Sequence, residues 1–140
     1  MIIQIPLGML EANCYLVYDA NGGDGVVVDP GGDVAPLLRE IERQKVTLKA
    51  ILNTHGHFDH IAGNADLARF NVPFAIHPAD RDLLTNGGGA AWFGLPEAPA
   101  VNPTLNLTEG FELTVGKLRL RVLETPGHTP GSVCLYLPEA

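Results

Sequence analysis

The sequence predicts an α/β fold, and three observations carry that prediction. Short β-like apolar runs, Val26-Val27-Val28, Ala50-Ile51-Leu52 and Val72 to Ile76, alternate with two stretches of helical spacing, Val34 to Ile41 and Ile61 to Phe70. The composition is that of a folded chain: 46% of the 140 residues are hydrophobic and 18% charged. That supports one domain over residues 1–140, able to bury roughly two thirds of its unfolded surface. Finally, His55, His57, Asp59 and His60 follow the Ala50 to Leu52 run directly, at the end of a strand where open α/β sheets commonly place their chemistry.

Taken in order, Ile2 to Ile5 reads as a strand ended by Pro6, and Cys14 to Tyr18 as its neighbour. The turn Asn21-Gly22-Gly23-Asp24-Gly25 returns the chain into the third strand, Val26 to Val28. Asp33 is placed to cap the next helix by accepting a hydrogen bond from a free first-turn amide, and Pro36 is tolerated because it falls in that same turn. Val34, Leu37, Leu38 and Ile41 form the buried stripe; Arg39, Glu40, Glu42 and Arg43 take the wet side. After the strand Ala50 to Leu52 and its histidine-rich loop comes the helix Ile61 to Phe70, which buries Leu67 and Phe70. Val72 to Ile76 is a further strand, and His77-Pro78 opens a short helical stretch through Leu84, with His77 in a structural or surface role.

Thr85 to Pro103 is the least regular part, with Gly87-Gly88-Gly89 and the only tryptophan. It reads as a mobile loop near the histidines, in which Trp92, Phe93 and Leu95 either cover the site or pin the loop to the core. Phe111 to Val115 and Leu118 to Leu123 pair around Gly116-Lys117 and deliver His128 through the turn Thr125-Pro126-Gly127; Ser132 to Leu137 is the last strand.

The chemistry is carried by Thr54-His55-Gly56-His57-Phe58-Asp59-His60 and by His128 in Thr125 to Ser132. In an extended segment, residues two apart point to the same side, so His55, His57 and Asp59 converge while Gly56 lets the backbone turn tightly. Imidazole and carboxylate together suit zinc, and also iron or manganese; few protein ligands per ion leave a position open for water, which points to catalysis rather than scaffolding. Asp29 stands either as a turn residue before Pro30-Gly31 or as a carboxylate that takes the second nitrogen of a metal-bound histidine.

Charge and cysteine usage narrow the partners. A net charge of −7, with nine scattered Lys and Arg, argues against a nucleic-acid groove, which needs clustered cations. No basic region followed by an apolar stretch opens the chain, and no apolar run is long enough for a bilayer, so the sequence predicts a soluble, cytoplasmic protein without a membrane partner. Cys14 and Cys134 lie in apolar strand-like runs without a Cys-x-x-Cys pair, which predicts two buried thiols rather than a disulfide.

Residues 55–60 match the His-x-His-x-Asp-His motif of the metallo-β-lactamase superfamily, and Thr125 to Ser132 resembles the segment carrying that family's third histidine. Asn13-Cys14-Tyr15-Leu16-Val17 followed by Val26-Val27-Val28-Asp29-Pro30-Gly31 resembles the opening hairpin of its glyoxalase II-like branch, which includes hydroxyacylglutathione hydrolases. The likeness runs along essentially the whole chain. It implies a four-layer αββα sandwich of two similar halves, the second incomplete in this chain. It also implies that His55, His57 and His128 bind one metal and that Asp59 and His60 supply two ligands of a second. The bridging aspartate and last histidine that complete the second set in that family are absent from this sequence.

The activity implied is hydrolysis of a small-molecule thioester of the acyl-glutathione type. One or two zinc ions would supply a bound hydroxide that Asp59 orients. No Ser-His-Asp or Cys-His arrangement competes. The other readings are a mononuclear-iron enzyme resembling persulfide dioxygenases, a β-lactamase, and a non-catalytic metal-binding fragment. An uncovered strand at Ser132 to Leu137 further predicts association through that surface, as a homodimer or with a missing companion segment.

Overall fold

The computed structural model describes residues 1–8, 11–20, 22–94 and 100–138. Among these residues nine strands and three α-helices, besides short 3₁₀ turns, follow in the order β1 (Ile2–Leu7), β2 (Ala12–Tyr18), β3 (Asp24–Val28), α1 (Ala35–Gln44), β4 (Thr47–Leu52), α2 (Phe58–Ile61), β5 (Phe74–Ile76), α3 (Arg81–Thr85), β6 (Leu105–Asn106), β7 (Glu112–Val115), β8 (Leu118–Glu124) and β9 (Val133–Tyr136). The first sheet has the order β1-β2-β3-β4-β5-β6. Its first three strands are antiparallel; from β3 onward the pairing is parallel, with α1 as the crossover between β3 and β4 that parallel neighbours require. The second sheet, β7-β8-β9, is antiparallel.

Alternation along the strands explains the layering. Leu16, Val27 and Ile51 point to one face and pack with Leu37 and Ile41 of α1. Val17, Val26, Val28, Ala50 and Leu52 point to the other and pack against Val115, Leu120, Val122 and Val133 of the second sheet. Leu37 is fully buried, which is worth about 1.5–3 kcal/mol for a side chain of this kind. The described residues thus form three layers, helix, sheet and sheet. On the far face of the second sheet Leu123, Cys134 and Tyr136 are exposed.

Several local expectations change. Pro6 does not end β1 but lies inside it, which is possible because β1 is an edge strand, where a missing N–H costs no ladder bond. Asp33 does accept the Ala35 amide, at 3.0 Å, although the helix proper starts at Ala35. The helix expected over Ile61 to Phe70 is instead α2, a turn, and a 3₁₀ helix Ala65–Phe70. The break lies at Gly63 and Asn64. The Gly63 amide is diverted to the Pro30 carbonyl at 2.6 Å, and the Asn64 side chain pairs with Asn53 at 2.8 Å.

Cys14 is buried as expected, but Cys134 is exposed, because it points away from the sheet–sheet core; both thiols are free. Among the described residues no helix is long and apolar enough to cross a membrane.

Candidate metal centre

The site forms where β3 and β4 end side by side. There the Asp29 amide bonds the Leu52 carbonyl at 2.9 Å, and Asp29 turns into the left-handed region, φ 54°, which Asp tolerates better than most residues. The turn folds its carboxylate back over the next loop. Oδ1 accepts the Thr54 amide at 2.7 Å and Oδ2 the Thr54 hydroxyl at 2.6 Å. Oδ2 also lies 3.1 Å from His60 Nδ1. Asp29 is therefore both the turn residue and the carboxylate partner of a histidine.

His55, His57 and His128 come together although His128 arrives from the second sheet. Their ring nitrogens lie within 4.8 Å of one another, and His57 Nδ1 faces His128 Nε2 at 2.9 Å. Zinc–nitrogen bonds of about 2.0–2.1 Å in a tetrahedron put ligand atoms roughly 3.3 Å apart, so the spacing suits a shared ion. A second triplet, Asp29, His55 and His60, meets the same limit, with Asp29 already holding Thr54. Asp59 stands beside it, its Oδ2 3.5 Å from His60 Nε2.

Two further observations test whether a cation fits. His55 is 7% exposed, and its Nδ1 is a buried polar atom with no hydrogen-bond partner among the described residues, an arrangement that costs about 1–3 kcal/mol if nothing compensates. Around it the rings of His60, His128 and His57 lie at centroid distances of 4.1, 4.9 and 5.2 Å. Neutral imidazoles packed this closely are a donor set for a metal ion. Protonated, they would repel one another.

The electrostatics of the metal-free chain agree with that set. Burial, reinforced by the neighbouring His60, pushes His55 from the ordinary 6.5 down to about 4. His57 is lowered too, by burial and by His128. His60 moves the other way: burial pulls it down, but the hydrogen bond and charge of Asp29 outweigh that and raise it.

The unfolded chain therefore takes up the His55 proton first as pH falls. The His55 contribution to stability is complete above about 6.5 and is lost as pH falls toward about 4. The His60 contribution is complete below its unfolded value and is lost as pH rises through its raised one. Imidazole NMR titration of the metal-free protein is expected to find His55 neutral at pH 5 while His60 still titrates above 6.5. A His55 midpoint near 6.5 would contradict this account.

Trp92 and Phe93 are 89% and 71% exposed, so they do not pin their loop to the core. The Phe93 ring instead lies 5.8 Å from that of Phe58, the residue after His57. Leu95 lies outside the described residues. His77 is structural: its Nδ1 accepts the Ala79 amide at 3.0 Å and its Nε2 lies 3.2 Å from Glu124.

Sequence reasoning passed over Asp80, which is 1% exposed and bonds both histidine loops. In a short helical stretch beside Arg81 and Asp82, nothing local separates it from a solvated charge. Thr54 was visible only as the residue before the motif.

Comparison with known proteins gives the same picture. The family model described as the metallo-beta-lactamase superfamily matches residues 7–140. The hydroxyacylglutathione hydrolase GloC of Haemophilus influenzae is 33% identical, over 92% of this chain and 62% of its own length. Among solved structures, the BLEG-1 B3 metallo-beta-lactamase superposes with a TM-score of 0.88 at 37% identity, covering 99% of this chain and 68% of that one. TTHA1623 in a di-iron-bound form does so with a TM-score of 0.82 at 35% identity, covering 98% of this chain and 67% of that one. Against a relative from Aquifex aeolicus, 38% identical, the chain spans 65% of the other's length. A family match over nearly the whole chain, on a fold that converges three imidazoles and an aspartate–histidine pair, places this chain in the metallo-beta-lactamase superfamily.

Proposed function

We propose that this chain carries the metal-binding part of a hydrolase that cleaves thioesters of the acyl-glutathione type. The observation that carries the reading is the convergence of His55, His57 and His128 from two sheets, with Asp59 and His60 alongside. The name of the Haemophilus influenzae relative supplies the substrate class.

In this reading His55, His57 and His128 hold one ion, and Asp59 and His60 supply two ligands of a second. Asp29 accepts from His60 Nδ1 and so leaves His60 Nε2 free on the Asp59 side. Zinc suits this imidazole-rich set, and iron is the second candidate because a similar structure holds two irons. When bound, such ions polarise a carbonyl and bring the pKa of a bound water to near 7.

The chain's own contribution is placement. The Asp59 side chain, about a third exposed, orients the attacking water, whose proton passes to solvent. The water oxygen forms the new C–O bond, the C–S bond breaks, and the thiolate leaves with little need of a proton donor.

The partner belongs to the same proposal. A groove of about 710 Å³ is lined from both sheets by Tyr15, Val17 and Leu120, and also by Asp59 and His60. We infer that a companion segment lies over it and completes the second ligand set. A dimeric mass in solution would identify a second copy as the cover instead.

The test is metal content by plasma mass spectrometry together with thiol release from an acyl-glutathione. Metal-dependent thiol release is expected. A metal-loaded protein that opens a chromogenic cephalosporin and releases no thiol would move the reading to a β-lactamase, the reaction class suggested by the BLEG-1 neighbour.

A further inference from the structure

Asp80 is a buried carboxylate that, like Asp29, takes three hydrogen-bond partners beside the histidines, but it takes no part in the ligand sets above. It precedes α3, in a third segment of the chain, and is 1% exposed. Three donors converge on it. The Gly131 amide reaches Oδ1 at 2.8 Å, the Gly56 amide reaches Oδ2 at 3.0 Å, and the Thr129 hydroxyl reaches Oδ2 at 2.6 Å.

The placement of those donors matters more than their number. Gly56 lies between His55 and His57; Thr129 follows His128, and Gly131 is in the same turn. One rigid carboxylate thus joins two loops that carry ligands of one candidate site, although His57 and His128 are 71 residues apart and their strands belong to different sheets. The approach demands glycine at Gly131 and is tight at Gly56. A Cβ at Gly131 would come within 2.7 Å of Asp80 Oδ1, and one at Gly56 within 3.1 Å of the Asp80 carbonyl oxygen. The far side is braced as well, since Ser132 Oγ accepts the Thr129 amide at 3.1 Å and meets the Thr129 hydroxyl at 2.8 Å.

We propose that Asp80 is a positioning residue that fixes the separation of the His55–His57 loop and the His128 loop, and thereby sets the affinity of the three-histidine site for its metal. Outer partners that hold metal-binding loops typically change affinity about 10–100-fold when removed. An anionic carboxylate is also favourable behind a site that gathers a divalent cation, because its charge is poorly screened when buried. The inference rests on the assignment of His55, His57 and His128 as ligands, and its test separates the two.

The experiment measures affinity for zinc by chelator competition, and the visible spectrum of the cobalt-substituted protein, for the wild-type chain and for Asp80→Asn, Thr129→Val and His128→Ala. Asp80→Asn keeps the shape but presents an NH₂ where a donor now points. It is expected to weaken zinc about 10–100-fold and to alter the cobalt spectrum, which a merely structural role would leave alone. Thr129→Val removes only the hydroxyl and keeps both amide bonds, so a several-fold loss is expected. If Asp80→Asn does not fold, Thr129→Val decides the matter.

Wild-type affinity and spectrum in a folded Asp80→Asn, or in Thr129→Val should Asp80→Asn not fold, would overturn the positioning role provided His128→Ala has lost its metal. Unchanged metal binding in His128→Ala would instead overturn the ligand assignment, and the Asp80 proposal with it.

Discussion

Replacing His128 by alanine is expected to leave a folded chain that no longer binds metal stoichiometrically and, on the function proposed above, loses the thioester hydrolysis assigned to it. His128 is exposed and belongs to neither sheet core, so truncating it opens no cavity and removes little buried surface. What it removes is one of three nitrogens lying within 4.8 Å of one another. Losing an outer partner of a metal ligand already costs about 10–100-fold, so losing the ligand itself is expected to cost more than about 100-fold in zinc affinity. Hydrolysis should fall to background. His77→Ala is the companion measurement, because His77 caps a helical turn outside the cluster. It should keep metal and activity, and equal losses in both variants would mean that histidine removal acts through folding.

The second large effect is expected from a residue with no side chain. A Cβ added to Gly31 would land on the Asp59 carbonyl oxygen and within 3.2 Å of the His60 Cα. The neighbour is backbone and cannot swing aside. Gly31→Ala must therefore push the Asp59–His60 segment away from Asp29 or distort its own turn. Overpacking of this kind typically costs about 1–3 kcal/mol, readable as a lower urea midpoint. A displacement of about 1 Å at a reacting group costs roughly 100-fold in rate. Thioester hydrolysis should accordingly fall further than stability, and a variant with the wild-type midpoint and turnover would show that the segment yields freely.

Much of this was legible in the residues, for reasons particular to each. The strand-helix-strand order of β3, α1 and β4 was visible because Val34, Leu37 and Ile41 recur at helical spacing between two apolar runs, and all three are buried. The hairpin of β7 and β8 was marked by Gly116-Lys117. The candidate metal cluster was legible because His55, His57, Asp59 and His60 fall within six positions, and His128 because its turn resembles a family segment.

What escaped depends on contacts between distant segments. The helix break at Gly63 is set by the Pro30 carbonyl, which no local pattern encodes. The exposure of Cys134 follows from which face of its sheet is packed; its apolar neighbours could not reveal that. Asp80 differs from an ordinary surface aspartate only in the donors that the fold brings to it.

The origin of the ligands in two different sheets has a kinetic consequence. If the second sheet separates from the first even transiently, His128 departs and the remaining nitrogens no longer enclose an ion. An ion held there would thus act as a clasp on the sheet–sheet interface, stabilising the joined state by about 2.7 kcal/mol at a free concentration 100 times its dissociation constant. Slow amide exchange in β8 and β9 would then report metal occupancy at a distance, and a chelator would loosen those strands before it loosened α1.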